Sequence, residues 1–164
     1  MRLGITNLFV VVALSGFAMQ VQAETIKLPA KIDLSAIEGS DRLTNASIKD
    51  KKVLIQFWAS WCVGCSKVME DMIPITKLSD KTKYLSISLD ETKEQAKGYF
   101  KFQNETVKKL LPSSWIDPDT SLASALNIKS LPALVLIDSQ GTVIESMYGH
   151  PSAEQMKKIE EFFK

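Results

Sequence analysis

The chain has 164 residues, and its 20 Lys and Arg nearly balance 19 Asp and Glu, which removes the electrostatic case for a nucleic-acid binder. With 45% hydrophobic and 24% charged residues, it has the composition of a globular protein, and its length predicts one domain. Two cysteines are too few for a disulfide-dense scaffold or for the four ligands of a structural zinc site. These exclusions leave open the role of a single cysteine pair, Cys62 and Cys65.

The N-terminal segment has the layout of a secretory signal peptide. A short basic start precedes an apolar run over residues 8–14, and a cleavage site of the A-x-A-like type ends at Ala23. The apolar run is shorter than the roughly 20 residues that cross a bilayer. An uncleaved membrane anchor over about residues 5–21 is the alternative. We expect residues 1–23 to be a cleaved signal and residues 24–164 to form a mature domain outside the cytoplasm, where disulfides persist.

The first half of the mature chain predicts strands and one helix around the cysteines. Residues 24–52 are polar and mixed, and they predict a lead-in with one or two short strands. The apolar and aromatic run over 53–58 predicts a buried strand. Apolar residues three and four apart over 68–78 predict an amphipathic helix, which Pro74 should kink or end. Alternation over 84–89 predicts a second strand.

The second half predicts two further helices, a hairpin and a final helix. A charged segment over about 92–111 predicts a helix that Pro112 stops. The next predicted elements are a turn at 117–119, a short helix at about 121–126, a buried strand at 133–137, a hairpin turn at 138–141 and its return strand at 143–148. Ser152 and Gln155 form a capping box that opens the last helix. The order β-α-β-α-β-β-α implies a central mixed sheet with helices on both faces.

The two cysteines fall where the predicted strand at 53–58 turns into a helix. At a helix N-terminus, unsatisfied backbone N–H groups and the positive end of the helix dipole favour a thiolate. Cys62 at that place is a nucleophile, and Cys65 is close enough to attack a mixed disulfide on Cys62 and release the partner. The sequence therefore predicts a redox-active disulfide that needs no other cofactor.

Three other uses of the pair stay open. The pair could form a static structural disulfide, although closing so small a loop restrains the unfolded chain very little. It could bind copper or an open-site zinc, with His150 as a third ligand. It could also be a vestigial pair in a module that binds a protein partner. We assign no metal-ligating residues on this basis.

A family resemblance is carried by the residues around the pair. The run over 57–65, Phe-Trp-Ala-Ser-Trp-Cys-Val-Gly-Cys, resembles the active-site segment of thioredoxin-fold proteins. Within them it is similar to the TlpA/ResA-type extracytoplasmic thiol-disulfide oxidoreductases. Leu131-Pro132 matches the family's cis-proline position, and Gly149 matches the glycine that follows the family's last strand.

The resemblance covers roughly residues 40–164. It implies an α/β thioredoxin-like fold, in which helices flank a central mixed sheet and a TlpA-type insertion occupies about residues 91–117. It also implies dithiol–disulfide exchange, with Cys62 attacking and Cys65 resolving. By the same resemblance, a cis peptide bond precedes Pro132, which helps to hold an extended substrate strand.

The resemblance also implies the surroundings and partners of the site. The residues expected to contact a substrate are Trp61, Val63, Gly64, Leu131 and Pro132. Substrates would be the thiols and disulfides of exported proteins, including the haem-site cysteines of oxidised apocytochrome c. The family favours a reductase, and a reductase outside the cytoplasm needs a membrane-embedded thiol electron donor. We expect a monomer that binds no nucleic acid.

Several positions depart from the family pattern. Val63-Gly64 stands where thioredoxins usually have Gly-Pro, and Gln56 replaces thioredoxin's buried acid. Val68 occupies a position where some TlpA-type proteins have a glutamate. The acidic residues that follow in the same segment are Glu70 and Asp71, which would reach the pair only by a different geometry.

Five other positions carry weaker expectations. Trp58 is expected to pack in the core, and Trp61 to be partly exposed beside the nucleophile and to touch partners. His150 is expected at the surface. Asp90 and Glu91 are expected to cap the helix that follows them, or else to line the site.

Overall fold

The computed structural model describes residues 28–29, 32–76 and 82–164. Its strands are β1 (Asp33–Ala36), β2 (Arg42–Thr44), β3 (Lys52–Trp58), β4 (Thr82–Ser88), β5 (Ser114–Ile116), β6 (Ala133–Ile137) and β7 (Val143–Tyr148). Its helices are α1 (Asn45–Ile48), α2 (Cys65–Thr76), α3 (Lys93–Lys101), α4 (Glu105–Lys108), α5 (Ser121–Ala125) and α6 (Ala153–Phe163), with a 3-10 turn over Leu111–Ser113. The predicted signal peptide, residues 1–23, lies outside the described residues.

The strands form one mixed sheet in the order β2-β1-β5-β4-β3-β6-β7. The central strands β3, β4 and β5 run parallel to one another, and the remaining pairs are antiparallel. The predicted central mixed sheet is therefore confirmed. Because β3 lies between β4 and β6, the strand that leads to the cysteines is held by hydrogen bonds on both sides.

Both faces of the sheet are covered, as the predicted element order implies. Alternate side chains of β3 enter two different cores. Leu54 and Trp58 pack with residues of α2, α3 and α6 on one face. Ile55 and Phe57 pack with residues of α1 and α5 on the other. Burial on both faces explains why the β3 sequence is apolar apart from Lys52 at its start and Gln56.

Strand β4 shows why an alternating pattern does not always mark an exposed face. Its serines at 86 and 88 are fully buried, like the apolar residues between them. Every side chain of the strand from Tyr84 to Ser88 is buried, so both faces of this stretch are covered. The alternation predicted the strand correctly, but its two serines point into the covered interior rather than to water.

The segment over 91–117 differs from the single helix predicted there. It forms α3, then α4, then the 3-10 turn and β5. The helix breaks because the Asn104 side chain accepts hydrogen bonds from the backbone N–H groups of Thr106 and Val107, which starts a new helix. Pro112 lies inside the 3-10 turn, and the three residues of β5 were too few for a periodic pattern.

The remaining predicted elements agree closely with the structure. The strands at 133–137 and 143–148 have the predicted bounds, and the capping box that joins Ser152 to Gln155 is formed. Pro74 does not end α2, which continues to Thr76. Within the part of the chain that the structure describes, every helix is too short or too polar to cross a lipid bilayer.

Candidate active site

The cysteines lie at the junction of β3 and α2, in the turn that leads into the helix. The Cys62 N–H donates to the Ala59 carbonyl at 3.0 Å, and the Cys65 N–H donates to the Cys62 carbonyl at 3.3 Å. The two sulfurs form a disulfide, with the Cα atoms 5.5 Å apart. Helix α2 begins at Cys65. Cys62 therefore lies in the turn immediately before the helix, and Cys65 is the first helical residue.

The two cysteines differ in their access to solvent. Cys62 is 7% exposed, whereas Cys65, the first residue of α2, is fully buried in the core. Two apolar side chains flank Cys62 at the surface, because Trp61 is 69% exposed and Val63 is 98% exposed. The predicted exposure of Trp61 is thus confirmed. A partner could reach only the first sulfur directly, and it would meet an apolar rim there.

The other tryptophan of this segment belongs to the core, as predicted. Trp58 is fully buried, and its ring centroid lies 4.8 Å from that of Tyr99 and 5.3 Å from that of Phe100. Burial raises the pKa of the Tyr99 hydroxyl, and the neighbouring Ser66, which follows Cys65, acts in the opposite direction. This aromatic cluster joins α3 to the end of β3 and the start of α2.

A second loop contributes Leu131 and Pro132. The peptide bond between them is cis, as the resemblance implies. Pro132 is buried, and half-buried Leu131 packs against the core cluster that contains both cysteines. The Gly149 N–H donates to the Pro132 carbonyl at 2.8 Å, which ties the loop to the end of β7. Gly149 has a φ of +74°, a left-handed conformation that favours glycine.

Gln56 links the sheet to the first residue of α2. Its side-chain amide donates to the carbonyl of Cys65 at 3.0 Å, and its Oε1 accepts a hydrogen bond from the Tyr84 hydroxyl. All three residues are buried. Burial raises the pKa of Tyr84 well above 10.0. Sequence reasoning noted Gln56 only as a missing acid, although a lone polar residue in an apolar strand is itself a signal of a buried contact.

Asp90 is held by the turn that precedes Cys62, a contact that the sequence did not reveal. The Ser60 hydroxyl and the Ser88 hydroxyl each donate to its carboxylate at 2.7 Å, and the Ser60 N–H donates to both oxygens at 3.0 and 3.1 Å. The expected helix cap is instead Thr92, whose side chain accepts from the Gln95 N–H. Of the two alternatives, Asp90 lies beside the site.

The acidic residues of α2 have partners on the outer surface. Asp71 accepts from the Lys67 ammonium at 2.7 Å and lies 2.7 Å from His150 Nε2, and Glu70 accepts from the Asn104 amide. His150 is exposed, as predicted. Among the described residues, no three His, Cys, Asp or Glu side chains are grouped to hold a metal ion.

Replacing Asp71 by asparagine is expected to destabilise the protein in a pH-dependent way. Burial raises the pKa of the Asp71 carboxyl, but the hydrogen bonds and charges of Lys67 and His150 outweigh it, so that the pKa lies below its usual 3.8. A lowered pKa stabilises the fold at pH values above the usual one, and this stabilisation is lost as the pH falls through the lowered value.

The expected loss at neutral pH is at most about 1 kcal/mol, because the site is largely solvated. Urea denaturation of the wild type and Asp71→Asn should show this difference at neutral pH, and the difference should shrink below pH 3.8. Glu160→Gln, at an exposed position on α6, is the control for general charge effects. A difference in unfolding free energy that stays constant from neutral pH to below pH 3.8 would contradict the assignment of Asp71 to these ion pairs.

A mixed sheet, a Cys-x-x-Cys disulfide before a helix and a neighbouring cis-proline loop together define the thioredoxin-fold class of redox proteins. The family described as a thioredoxin-like domain matches residues 40–164. The chain belongs to this family, and the fold implied by the resemblance is confirmed.

The relatives of the chain are TlpA/ResA-type proteins, as the resemblance indicates. The thiol-disulfide oxidoreductase ResA of Bacillus cereus is 30% identical over 112 residues, which are 67% of this chain and 62% of ResA. The chain therefore aligns with less than two thirds of that relative. The sporulation thiol-disulfide oxidoreductase A of Bacillus subtilis is 24% identical over 146 residues, 86% of this chain and 84% of the relative.

A solved structure supports the fold. The crystal structure of StoA from Bacillus subtilis superposes with a TM-score of 0.65 at 20% identity, over 84% of this chain and 99% of that one. At this level of identity the similarity establishes the fold alone.

Proposed function

We propose that the protein is a thiol-disulfide oxidoreductase whose Cys62–Cys65 pair exchanges with the thiols and disulfides of exported proteins. The observation that carries this proposal is the asymmetry of the pair. Cys62 keeps a small exposed fraction between two exposed apolar side chains, whereas its disulfide partner Cys65 is fully buried. This arrangement suits a nucleophile and a resolving thiol. A static disulfide would not need an exposed apolar rim.

The proposed reaction moves two electrons and two protons. The Cys62 thiolate attacks one sulfur of a partner disulfide, forms a mixed disulfide and releases the first partner thiol. The Cys65 thiolate then attacks the Cys62 sulfur, which closes the intramolecular disulfide and releases the second partner thiol. The reverse sequence oxidises a dithiol.

The rim and the cis-proline loop are the proposed substrate contacts. Trp61 and Val63 offer apolar surface on either side of Cys62, and Gly64 beside them is also exposed. Leu131 and Pro132 belong to the loop that packs on the same core, and they would hold an extended segment of the partner. Such a site recognises an unfolded or flexible chain around a cysteine rather than a small molecule.

We place the reaction outside the cytoplasm and in the reducing direction. The N-terminal sequence supports export, and the names of the relatives support thiol-disulfide exchange. A reductase there would receive electrons from a membrane-embedded thiol protein. Exported proteins with oxidised cysteine pairs, including the haem-site cysteines of apocytochrome c, are the proposed substrates.

Reduction of insulin by dithiothreitol tests the activity. The wild type is expected to accelerate the reaction, and Cys62→Ser is expected to leave only the rate of dithiothreitol alone, because the attacking sulfur is gone. Equal inactivity of both, together with uptake of one copper ion by the reduced wild type, would instead indicate a copper-binding module.

The reduction potential of the pair tests the direction. Equilibration with glutathione buffers, read by trapping free thiols, gives this potential. A value near about −270 mV, typical of thioredoxin, supports the reductase, whereas one near about −120 mV, typical of DsbA, contradicts it.

A further inference from the structure

The carboxylate of Asp90 is buried at the end of β4, beside the turn that carries Cys62. The residue is 4% exposed, although an aspartate is rarely buried without a compensating partner. Its partners are the Ser60 N–H, the Ser60 hydroxyl and the Ser88 hydroxyl, which all donate to it. None of the ion pairs among the described residues involves Asp90.

We propose that Asp90 is a positioning residue for the redox pair: it fixes the turn before Cys62 and places a buried negative charge that disfavours the Cys62 thiolate. The inference rests on the proposed function, since it assigns Asp90 a part in setting the reactivity of the attacking sulfur. It makes Asp90 a tuning group rather than a catalytic residue.

The positional part follows from the hydrogen bonds at the ends of two parallel strands. The Leu89 N–H donates to the Trp58 carbonyl at 2.8 Å, which joins the ends of β3 and β4. Directly beyond that bond, both oxygens of Asp90 hold Ser60, which is two residues before Cys62. The Cys62 N–H closes the turn on the Ala59 carbonyl. A shift of Ser60 would therefore displace the nucleophile.

The electrostatic part follows from the distance along the chain and from burial. The Cα atoms of Ser60 and Cys62, two residues apart, are separated by at most about 7 Å. Because the Asp90 carboxylate is hydrogen-bonded to Ser60, it lies in the near surroundings of Cys62. Its donors are neutral groups, which spread the negative charge but do not cancel it. In a poorly solvated site, a negative charge near a thiol opposes ionisation and raises its pKa.

Other charged and titratable groups also surround the site. On the elements packed around Cys62 they are Lys67, Glu70 and Asp71 of α2, Glu91 before α3, Tyr99 of α3, and His150 after β7. Lys67 and His150 each pair with Asp71 at the outer surface of α2. Glu91 is exposed, so water screens its charge far more than that of Asp90.

The rate of Cys62 alkylation by iodoacetamide, measured against pH in the reduced full-length protein, tests the inference. Cys65 is fully buried, so the reagent reports on Cys62. Asp90→Asn removes the charge at nearly constant volume, and it is expected to lower the pH midpoint of alkylation by about half a pH unit. Glu91→Gln is the matched control, and it should leave the midpoint unchanged.

A second variant, Ser60→Ala, separates charge from loosening of the turn. It keeps the Asp90 charge but removes the hydroxyl that donates to the carboxylate. Fewer hydrogen bonds then disperse the negative charge, so the pH midpoint of Cys62 alkylation should rise. A fall or no change in Ser60→Ala overturns the electrostatic part, and this result decides the matter alone if Asp90→Asn does not fold. An unchanged midpoint in folded Asp90→Asn, with only a lower melting temperature, overturns the inference as a whole.

These results are independent of the insulin assay. If the wild type does not accelerate insulin reduction, the proposed function is rejected. The pH midpoints of alkylation would still report whether Asp90 acts on Cys62. Conversely, an active wild type with equal midpoints in all variants would reject the inference and keep the proposed function.

Discussion

Cys65→Ser is expected to convert the protein into a trap that accumulates mixed disulfides through Cys62. Cys62 is the cysteine of the pair with solvent-exposed area and remains able to attack a partner, whereas a serine hydroxyl at position 65 cannot release that partner. The covalent complexes should therefore rise from a trace to a major fraction of the protein. Non-reducing gels of cells that express the variant would show them as bands that disappear with dithiothreitol.

Two variants control this experiment. Cys62→Ser should give no adducts, because the remaining thiol is fully buried, and the double variant should also give none. Adducts of equal strength in Cys62→Ser would show that Cys65 also attacks partners and would contradict the assigned roles. Absence of thiol-sensitive bands in Cys65→Ser would count against the exchange mechanism itself.

Trp58→Ala is expected to destabilise the fold by about 3–5 kcal/mol, because it removes a large side chain from a closed core. Trp58 is fully buried and packs against Tyr99 and Phe100, so its loss leaves a cavity between the sheet and α3. This is a large share of the roughly 5–15 kcal/mol by which domains are usually stable. Urea denaturation of the oxidised protein measures the difference.

The nearby Trp61 provides the matched control. Trp61→Ala removes an exposed side chain and is expected to change the unfolding free energy by at most about 0.5 kcal/mol. It should instead slow insulin reduction, since it removes part of the proposed substrate rim. Equal destabilisation by the two substitutions would contradict the assignment of one tryptophan to the core and the other to the surface.

The elements that the sequence predicted well are those whose pattern reflects burial directly. Strands β6 and β7 are a continuous apolar run and its hairpin return, and their bounds agree with the prediction. The insertion was harder to predict. Helix α3 ends at Lys101, and the Asn104 side chain caps the start of α4, while the apolar spacing remains helical on both sides. A propensity pattern does not register such a local competition.

The residues of the candidate site were also predicted only in part. Cys62, Cys65 and Pro132 stand in motifs whose spacing is visible in the sequence, and the structure brings them into one region of the fold. Their roles in exchange remain predictions. The contacts of Gln56 and Asp90 join residues up to 30 positions apart, and they depend on the parallel pairing of β3 with β4. No periodicity reports a contact of this kind.

The hydrogen bond between Tyr84 and Gln56 has a consequence for the proton balance of the pair. An amide does not ionise, and burial keeps the phenol protonated well past pH 10.0. The side chains of Gln56 and Tyr84 therefore stay uncharged in acid and in mildly alkaline solution. Two protons accompany two electrons, so the potential of the pair falls by about 59 mV per pH unit while both thiols stay protonated. Gln56 and Tyr84 therefore do not alter the pH dependence of the reduction potential. Departures from about 59 mV per pH unit are expected only from the ionisation of the thiols and of the carboxylates around them.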